Sequence, residues 1–410
     1  MLKRIRVEDL TLGMYVHEFC GSWLDHPFWR SRFAIAQPED LARIRATPVR
    51  EVWIDTGRGR DVARPRPAAP PAAAPAPATA PLPAAAHATR SASAEQEMRR
   101  AARIVRRSKD AVVHMFQQAR MGRAIHPASA RGLVQEIQES VQRNPGALIS
   151  LARLKSADDY TYLHSVAVCA LMVALTRQLG MDEQQTHTAG MAGLLHDLGK
   201  ARTPLEVLNK PGSLSDEEFA LIKQHPVVGW QLLQAGGVQD ADVLDACRHH
   251  HERLDGTGYP DGLRGEQIST LARMTALCDV YDAITSDRPY KRGWDPAQSI
   301  RRMASWTGSH LDARLFQAFV KCLGIYPTGS LVRLASGRLG VVVEQNPGTL
   351  VAPRVRVFFS LRSSLRIPPE LIDLAAPGCR DQITGREDPQ DWGFSDLSDL
   401  WAGMALEEAA

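Results

Sequence analysis

What this chain lacks narrows its reading before any motif is found. Its six cysteines (Cys20, Cys169, Cys247, Cys278, Cys322 and Cys379) show no paired spacing. That argues against a disulfide framework and for a reducing compartment, where a thiol in an apolar run serves as a small hydrophobe. No uninterrupted apolar run approaches the roughly 20 residues that a membrane-spanning helix needs, and the opening MLKRIRVEDL carries no apolar signal region. The expectation is a cytoplasmic protein without a membrane span. Charge of one sign is not in excess either: 49 Lys+Arg against 46 Asp+Glu leave +3, so bulk charge calls for neither a nucleic-acid nor a membrane partner. What remains is an ordinary soluble composition over 410 residues, enough for two or three domains with their own cores.

In chain order, residues 1–62 read as a small α+β unit. Leu2 to Leu12 reads as a strand and turn, Gly13 to Val16 as a strand, Ser22 to Phe28 as an aromatic turn, Pro38 to Arg45 as a short helix and Val49 to Ile54 as a closing strand. His17 and His26 stand beside aromatics and are expected to be structural, which leaves this unit a regulatory or interaction module. Arg64 to about Ala88 is almost all Pro and Ala. It cannot bury a core, and residues 63–92 are expected to form an extended polyproline spacer. Residues 93–149 read as connecting helices. Their basic cluster, Arg99, Arg100, Arg103, Arg106 and Arg107, is interleaved with acidic residues and read as a solvated face, with pairing to a second copy in a homodimer as an option. From Gly329 to about Ser360 the pattern changes to strands, Leu331 to Leu334, Leu339 to Val343 and Val355 to Phe359, which predicts a small β appendage over 326–375 and then an acidic tail over 376–410.

The chemistry lies between. Leu163, Val166, Ala167, Ala170, Leu171 and Ala174 make an apolar helical stripe with His164 at its start. One histidine there is an ordinary core residue. The apolar run Ala189 to Leu195 then leads into His196-Asp197-Leu198-Gly199-Lys200. The doublet offers one nitrogen ligand and one carboxylate able to bridge two cations. Lys200, about one helical turn on, places an ammonium where it can hold a phosphate. Further ligand types follow in Gln224-His225-Pro226, in His249-His250-His251-Glu252, and at Asp279 inside the apolar helix Leu271 to Ile284. An unpaired carboxylate among Met274, Ala276, Leu277 and Val280 would be costly to bury, and a metal or cationic partner offsets that cost. Histidine and aspartate without a cysteine pair suit Fe, Mn, Ni or Zn in a catalytic site better than a closed structural zinc site. The glycine-rich run Asp255 to Gly262 cannot be helical and must line whatever the histidines coordinate. Ser286 to Lys291 adds Arg288, Tyr290 and Lys291, suited to a phosphate and a stacked base.

Together these pieces resemble the HD-GYP family, bacterial metal-dependent phosphodiesterases of the His-Asp hydrolase superfamily that act on cyclic di-GMP. The matching runs are His164 in Tyr-Thr-Tyr-Leu-His-Ser, HDLGK at 196–200, KPGSLSDEE at 210–218, HP at 225–226, HHERLDGTGYP at 250–260 and CDVYDAITSDRPYK at 278–291. They fall in family order over about residues 150–325. The first unit, with Gly-Met-Tyr-Val and Ser-Trp-Leu-x-x-Pro-Phe, is similar to an uncharacterised domain that often precedes such enzymes.

The resemblance implies a mainly α fold: an all-helical HD-type phosphohydrolase domain over 150–325 with a small α+β domain before it and a small β appendage after it. It implies that His164, His196, Asp197 and Asp279 hold one metal, and that Asp197 bridges to a second held by His225, His250 and His251. Asp197 and Lys200 would be the catalytic residues. Lys200, Arg288 and Lys291 would contact the substrate phosphate, and Tyr259 would shape the pocket or dock a partner such as a diguanylate cyclase. Some members bind a third metal through a glutamate four residues before the first histidine. Tyr160 stands there, with Asp159 adjacent, so two divalent ions are expected, Fe or Mn, with Ni or Zn as alternatives. Water activated between them would open cyclic di-GMP to pGpG, a second round giving GMP, and activity would fall in acid as the histidines protonate. The competing expectations are a cyclic di-GMP receptor acting through partner binding without useful turnover, and a phosphodiesterase for a mixed guanine–adenine cyclic dinucleotide.

Overall fold

Alternation of apolar residues builds the first unit. The computed structural model describes residues 2–20, 33–45, 51–61, 94–123, 127–153, 160–210, 212–286, 293–346, 348–394 and 396–403, which divide into two units at Ala88 and Thr89. In the first, β1 (Leu2–Arg6), β2 (Tyr15–Cys20), β3 (Phe33–Ala34) and β4 (Glu51–Asp55) form an antiparallel sheet in the order β1-β4-β2-β3, with α1 (Pro38–Arg45) between β3 and β4. Ile5 pairs with Val52 across β1 and β4, and Val16 with Ile54 across β2 and β4. With Leu10, Met14, Ile35 and Ile44 they form its buried core. The aromatic turn at Ser22 to Phe28, with His26, and the Pro/Ala spacer lie outside the described residues.

The second unit is mainly helical. Where one connecting helix is expected up to about Gln142, two form, α2 (Ala94–Arg120) and α3 (Pro127–Arg143), followed by α4 (Pro145–Arg153). Glu97, buried on α2, ties them together by accepting from Ser140 Oγ at 3.1 Å and Arg143 Nε at 2.8 Å. From the basic cluster, Arg107 pairs with Glu136 at 2.8 Å, which agrees with a charge-balanced helix face.

These helices surround α5 (Tyr160–Gln178), whose side chains are buried without interruption from Leu163 to Thr176. A helix apolar on all sides is stable only at the centre of a bundle, and α2, α3, α4, α6, α11 and α13 all pack on it. Next comes α6 (Glu183–Leu195), opened by a capping box in which Asp182 accepts from the Gln185 N–H at 2.8 Å and Gln185 accepts from the Asp182 N–H at 3.0 Å. A methyl at Gly193 would sit 2.9 Å from Cys169 Cα, so glycine there lets α6 press against α5. The chain continues through α7 (Leu205–Leu208), α8 (Asp216–Ile222), α9 (His225–Ala235), α10 (Ala241–His249), α11 (Thr270–Thr285), α12 (Pro296–Ala304) and α13 (Ala313–Leu323). Among the described residues no helix is long and apolar enough to cross a membrane. Cys169, Cys247 and Cys278 are buried free thiols.

The C-terminal strands β5 (Leu331–Leu334), β6 (Arg338–Asn346), β7 (Thr349–Ser360), β8 (Leu365–Asp373) and β9 (Ile383–Arg386) form an antiparallel sheet in the order β8-β7-β6-β5-β9. The expected acidic tail needs correction. Residues from 376 onward supply β9, α14 (Pro389–Trp392) and α15 (Leu397–Ala402). The physical reason is that the sheet is apolar on both faces. Val332, Val342, Val355 and Val357 fill one, while Leu331, Leu339 and Phe358 on the other are covered by Leu397, Trp392 and Phe394. Arg386 on β9 reaches Asp295, the N-cap of α12, at 3.2 Å and anchors the sheet to the helices.

Candidate metal centre

Histidines from four helices converge on one carboxylate, and a fifth helix adds a second carboxylate beside them. The α6 helix stops at His196, which still has helical dihedrals, and Asp197 leaves them (φ −97°, ψ 5°) to start a tight turn over Leu198–Arg202. Asp197 is thereby turned inward and is 1% exposed. Its Oδ2 lies 3.4 Å from His164 Nε2 of α5 and 3.4 Å from its neighbour His196 Nε2. Its Oδ1 faces the other way, 3.2 Å from His225 Nε2 at the start of α9 and 3.8 Å from His250 Nε2 at the end of α10. Asp279 of α11 contacts His164 Nε2 at 3.0 Å and His251 Nδ1 at 3.8 Å. Two clusters able to hold a cation result, His164–His196–Asp197 and Asp197–His225–His250–His251, with Asp197 in both.

The imidazoles are aimed. Nδ1 of His196, His225 and His250 lies 2.8, 2.7 and 2.8 Å from the carbonyls of Gly193, Ile222 and Cys247. A carbonyl only accepts, so each Nδ1 carries the proton and each Nε2 presents its lone pair to the centre. His164 Nδ1 is held instead by the Asp282 carboxylate at 2.6 Å. Burial keeps His225 below its ordinary pKa, lowers His250 much further with help from His251 and His196, and takes His251 down to about 3, so these three stay neutral and able to ligate. Burial alone would raise Asp197, but the Lys200 ammonium, 2.6 Å from Oδ2, and His196 hold it well below the usual carboxylate range.

The donor set fits divalent cations on the structure's own terms. His196 Nε2 and Asp197 Oδ1 are buried and make no hydrogen bond among the described residues. Buried polar atoms without partners are costly, and a cation at each cluster would satisfy them. Gly199 lets Asp197 and His225 meet: an added methyl would lie 1.9 Å from the His225 carbonyl oxygen and 2.6 Å from the Gly229 nitrogen.

Residues 136–315 match the HD domain family, and residues 2–130 match a domain of unknown function, DUF3391. A cyclic di-GMP phosphodiesterase of Pseudomonas aeruginosa is 55% identical over 406 residues, 99% of this chain and 97% of that protein. The chain belongs to the HD-GYP family of phosphodiesterases. Similarity to two further relatives is narrower. The cyclic di-GMP phosphodiesterase response regulator RpfG of Xanthomonas campestris is 39% identical over 42% of this chain and 47% of its own length. A 3'3'-cGAMP-specific phosphodiesterase of Vibrio cholerae is 34% identical over 43% and 41%.

Of the expected HD-GYP site residues, the structure brings together His164, His196, Asp197, Lys200, His225, His250, His251 and Asp279, with Tyr259 against the His251 ring at a centroid distance of 4.8 Å. Arg288, Lys291, Asp159 and the side chain of Tyr160 lie outside the described residues. His249, the first of the three consecutive histidines, turns away to Asp245 and Asp261 at 2.7 and 2.9 Å. Two acidic residues have roles that the sequence reading did not assign. Glu252, 2% exposed, accepts from the backbone N–H groups of Asp261 and Gly262 at 2.7 and 3.0 Å and of Leu263 at 3.0 Å, pinning the Gly-Tyr-Pro loop beside the centre. Asp282, three residues after Asp279, orients His164; its signal was that one-turn spacing inside an apolar helix. Replacing it as Asp282→Asn is expected to weaken cation binding at the His164 cluster by about 10–100-fold. Calorimetric metal titration checks this, and wild-type affinity would count against the role.

Proposed function

We propose that this chain hydrolyses cyclic di-GMP to pGpG, and in a second step to GMP. The observation that carries the reading is the division of one buried carboxylate, Asp197, between two histidine clusters with Lys200 at its edge. His164, His196, Asp197 and Asp279 would hold one cation, and Asp197, His225, His250 and His251 the other. Nitrogen and carboxylate donors of this kind suit Fe or Mn, with Ni or Zn as alternatives. Divalent cations held there supply water activation near neutral pH and neutralise charge on phosphoryl oxygens.

The chain's own residues do the rest. His164, His196, Asp197, His225, His250 and Asp279 are all buried, whereas His251 and Lys200 are half-buried. The scissile phosphate therefore approaches from the side of His251 and Lys200. The Lys200 ammonium neutralises a non-bridging oxygen as negative charge grows on it, an interaction that is stronger in the transition state than in the ground state. Tyr259 walls the same opening. Asp282 and the three backbone carbonyls fix the imidazoles before substrate arrives, so no reorganisation is required during the reaction.

The test is turnover by the purified protein loaded anaerobically with Fe(II) or Mn(II), products being resolved by chromatography. Appearance of pGpG or GMP is expected. Nucleotide binding without product from metal-loaded protein would favour a receptor. The similarity to a relative named for 3'3'-cGAMP gives a second reading, and that dinucleotide belongs in the same assay.

A further inference from the structure

Outside the ligand clusters, an ammonium stands between two aromatic rings at the rim of the opening. Lys223 Nζ lies 4.6 Å from the ring centroid of Phe219 and 5.5 Å from that of Tyr259. Tyr259 in turn packs on His251, so Lys223 is one ring removed from the second cluster. Phe219 is 45% exposed, an unusual position for a phenylalanine that no core contact requires. It is nonetheless rigidly presented. The α8 helix that carries it opens with a capping box, Ser215 accepting from the Glu218 N–H at 3.3 Å and Glu218 accepting from the Ser215 N–H at 2.7 Å, and Lys210 clamps both Glu218 oxygens at 2.8 and 2.7 Å. A capping box and an ion pair that share Glu218 thus hold an apolar ring out into water.

We propose that Lys223, with Phe219 and Tyr259, forms the subsite that reads a guanine base, Lys223 being the residue that distinguishes guanine from adenine. The inference rests on the cyclic dinucleotide reading above. Aromatic faces accept any base by stacking, at sequence-tolerant strength. Discrimination needs a polar group facing the base edge. Guanine presents two acceptors there, O6 and N7, which suit an ammonium, whereas adenine replaces O6 with an N6 amino donor. Of the three N–H donors of such an ammonium, those not turned toward the rings remain for a base edge. Lys200 cannot serve both ends of the substrate, since its ammonium is engaged at Asp197 beside the phosphate position.

The test uses the metal-loaded full chain hydrolysing bis(4-nitrophenyl) phosphate, a diester without a base, and measures inhibition by cyclic di-GMP and by cyclic di-AMP in parallel with their calorimetric dissociation constants. In Lys223→Met the constants for cyclic di-GMP are expected to rise about 10–100-fold while those for cyclic di-AMP do not. Lys223→Arg, whose guanidinium also donates to O6 and N7, is expected to keep the guanine preference. An unchanged guanine-to-adenine ratio in Lys223→Met, or an equal rise for both nucleotides, overturns the assignment. Failure of the functional reading looks different: cyclic di-GMP would then inhibit, with the Lys223-dependent preference intact, yet never be converted to product.

Discussion

Asp197→Ala should abolish turnover and cation binding together. Most ligand substitutions in a binuclear centre would weaken one cation and spare the other. Asp197 differs because its two oxygens face different clusters, Oδ2 toward His164 and His196 and Oδ1 toward His225 and His250. A single pre-positioned electrostatic group is commonly worth about 10²–10³ in rate. Removing a residue that serves both clusters and also anchors Lys200 should therefore cost roughly 10³-fold or more. Elemental analysis of the purified variant should find less than one cation per chain, and chromatography no product. Asp197→Asn keeps the shape and removes the charge, so it separates loss of ligand from loss of packing. A variant that held two cations, or kept a tenth of wild-type turnover, would refute the bridging role.

Gly199→Ala is the second large effect, and it replaces no proposed ligand. The methyl would come 1.9 Å from the carbonyl oxygen of His225 and 2.8 Å from its carbonyl carbon. Backbone on both sides means neither neighbour can swing aside as a flexible side chain would. The turn carrying Asp197 and Lys200 must move away from the start of α9, where His225 sits. Displacing reacting groups by about 1 Å costs on the order of 10²-fold in rate, and overpacking of this kind costs about 1–3 kcal/mol of stability. Turnover is expected to fall by roughly 10²-fold, with weaker binding at the His225 cluster and a lower thermal midpoint. Wild-type kinetics in this variant would show that the turn has slack the geometry does not reveal.

The centre was legible in the sequence because its ligands come in short runs, His196-Asp197, His225-Pro226 and His250-His251, each interrupting apolar or turn-forming residues. Which of the three consecutive histidines points inward was harder. Successive residues on a helix differ by about 100°, and the end of α10 at His249, with His250 as its cap, decides the matter. The sequence shows no such end. Supporting residues were less visible still: Glu252 and Asp282 act through backbone groups and a histidine that only the fold brings to them. For the β appendage, the strand reading stops at Phe359, before β8, where Pro368 and Pro369 obscure a strand pattern. Proline lacks the ladder donor, yet it is tolerated in an edge strand, and β8 is at the edge. The tail reads as acidic and rich in Trp and Leu, and it is Trp392, Phe394, Leu397 and Trp401 that decide where it goes.

The candidate ligands come from α5, α6, α9, α10 and α11 and the turns at their ends, and the contact between His164 and Asp282 closes a separation of 118 residues. An unfolded chain cannot assemble such a set, so any cation that binds does so almost exclusively to the native state. Such a ligand shifts the folding equilibrium by about 2.7 kcal/mol when present at 100 times its dissociation constant, a sizeable fraction of the roughly 5–15 kcal/mol that typically separates folded from unfolded domains. Metal supply is therefore expected to set the protein's resistance to proteolysis as well as its turnover. In a cell short of the right cation, the expected result is fewer enzyme molecules as well as less activity, so a cyclic dinucleotide signal would last longer for both reasons.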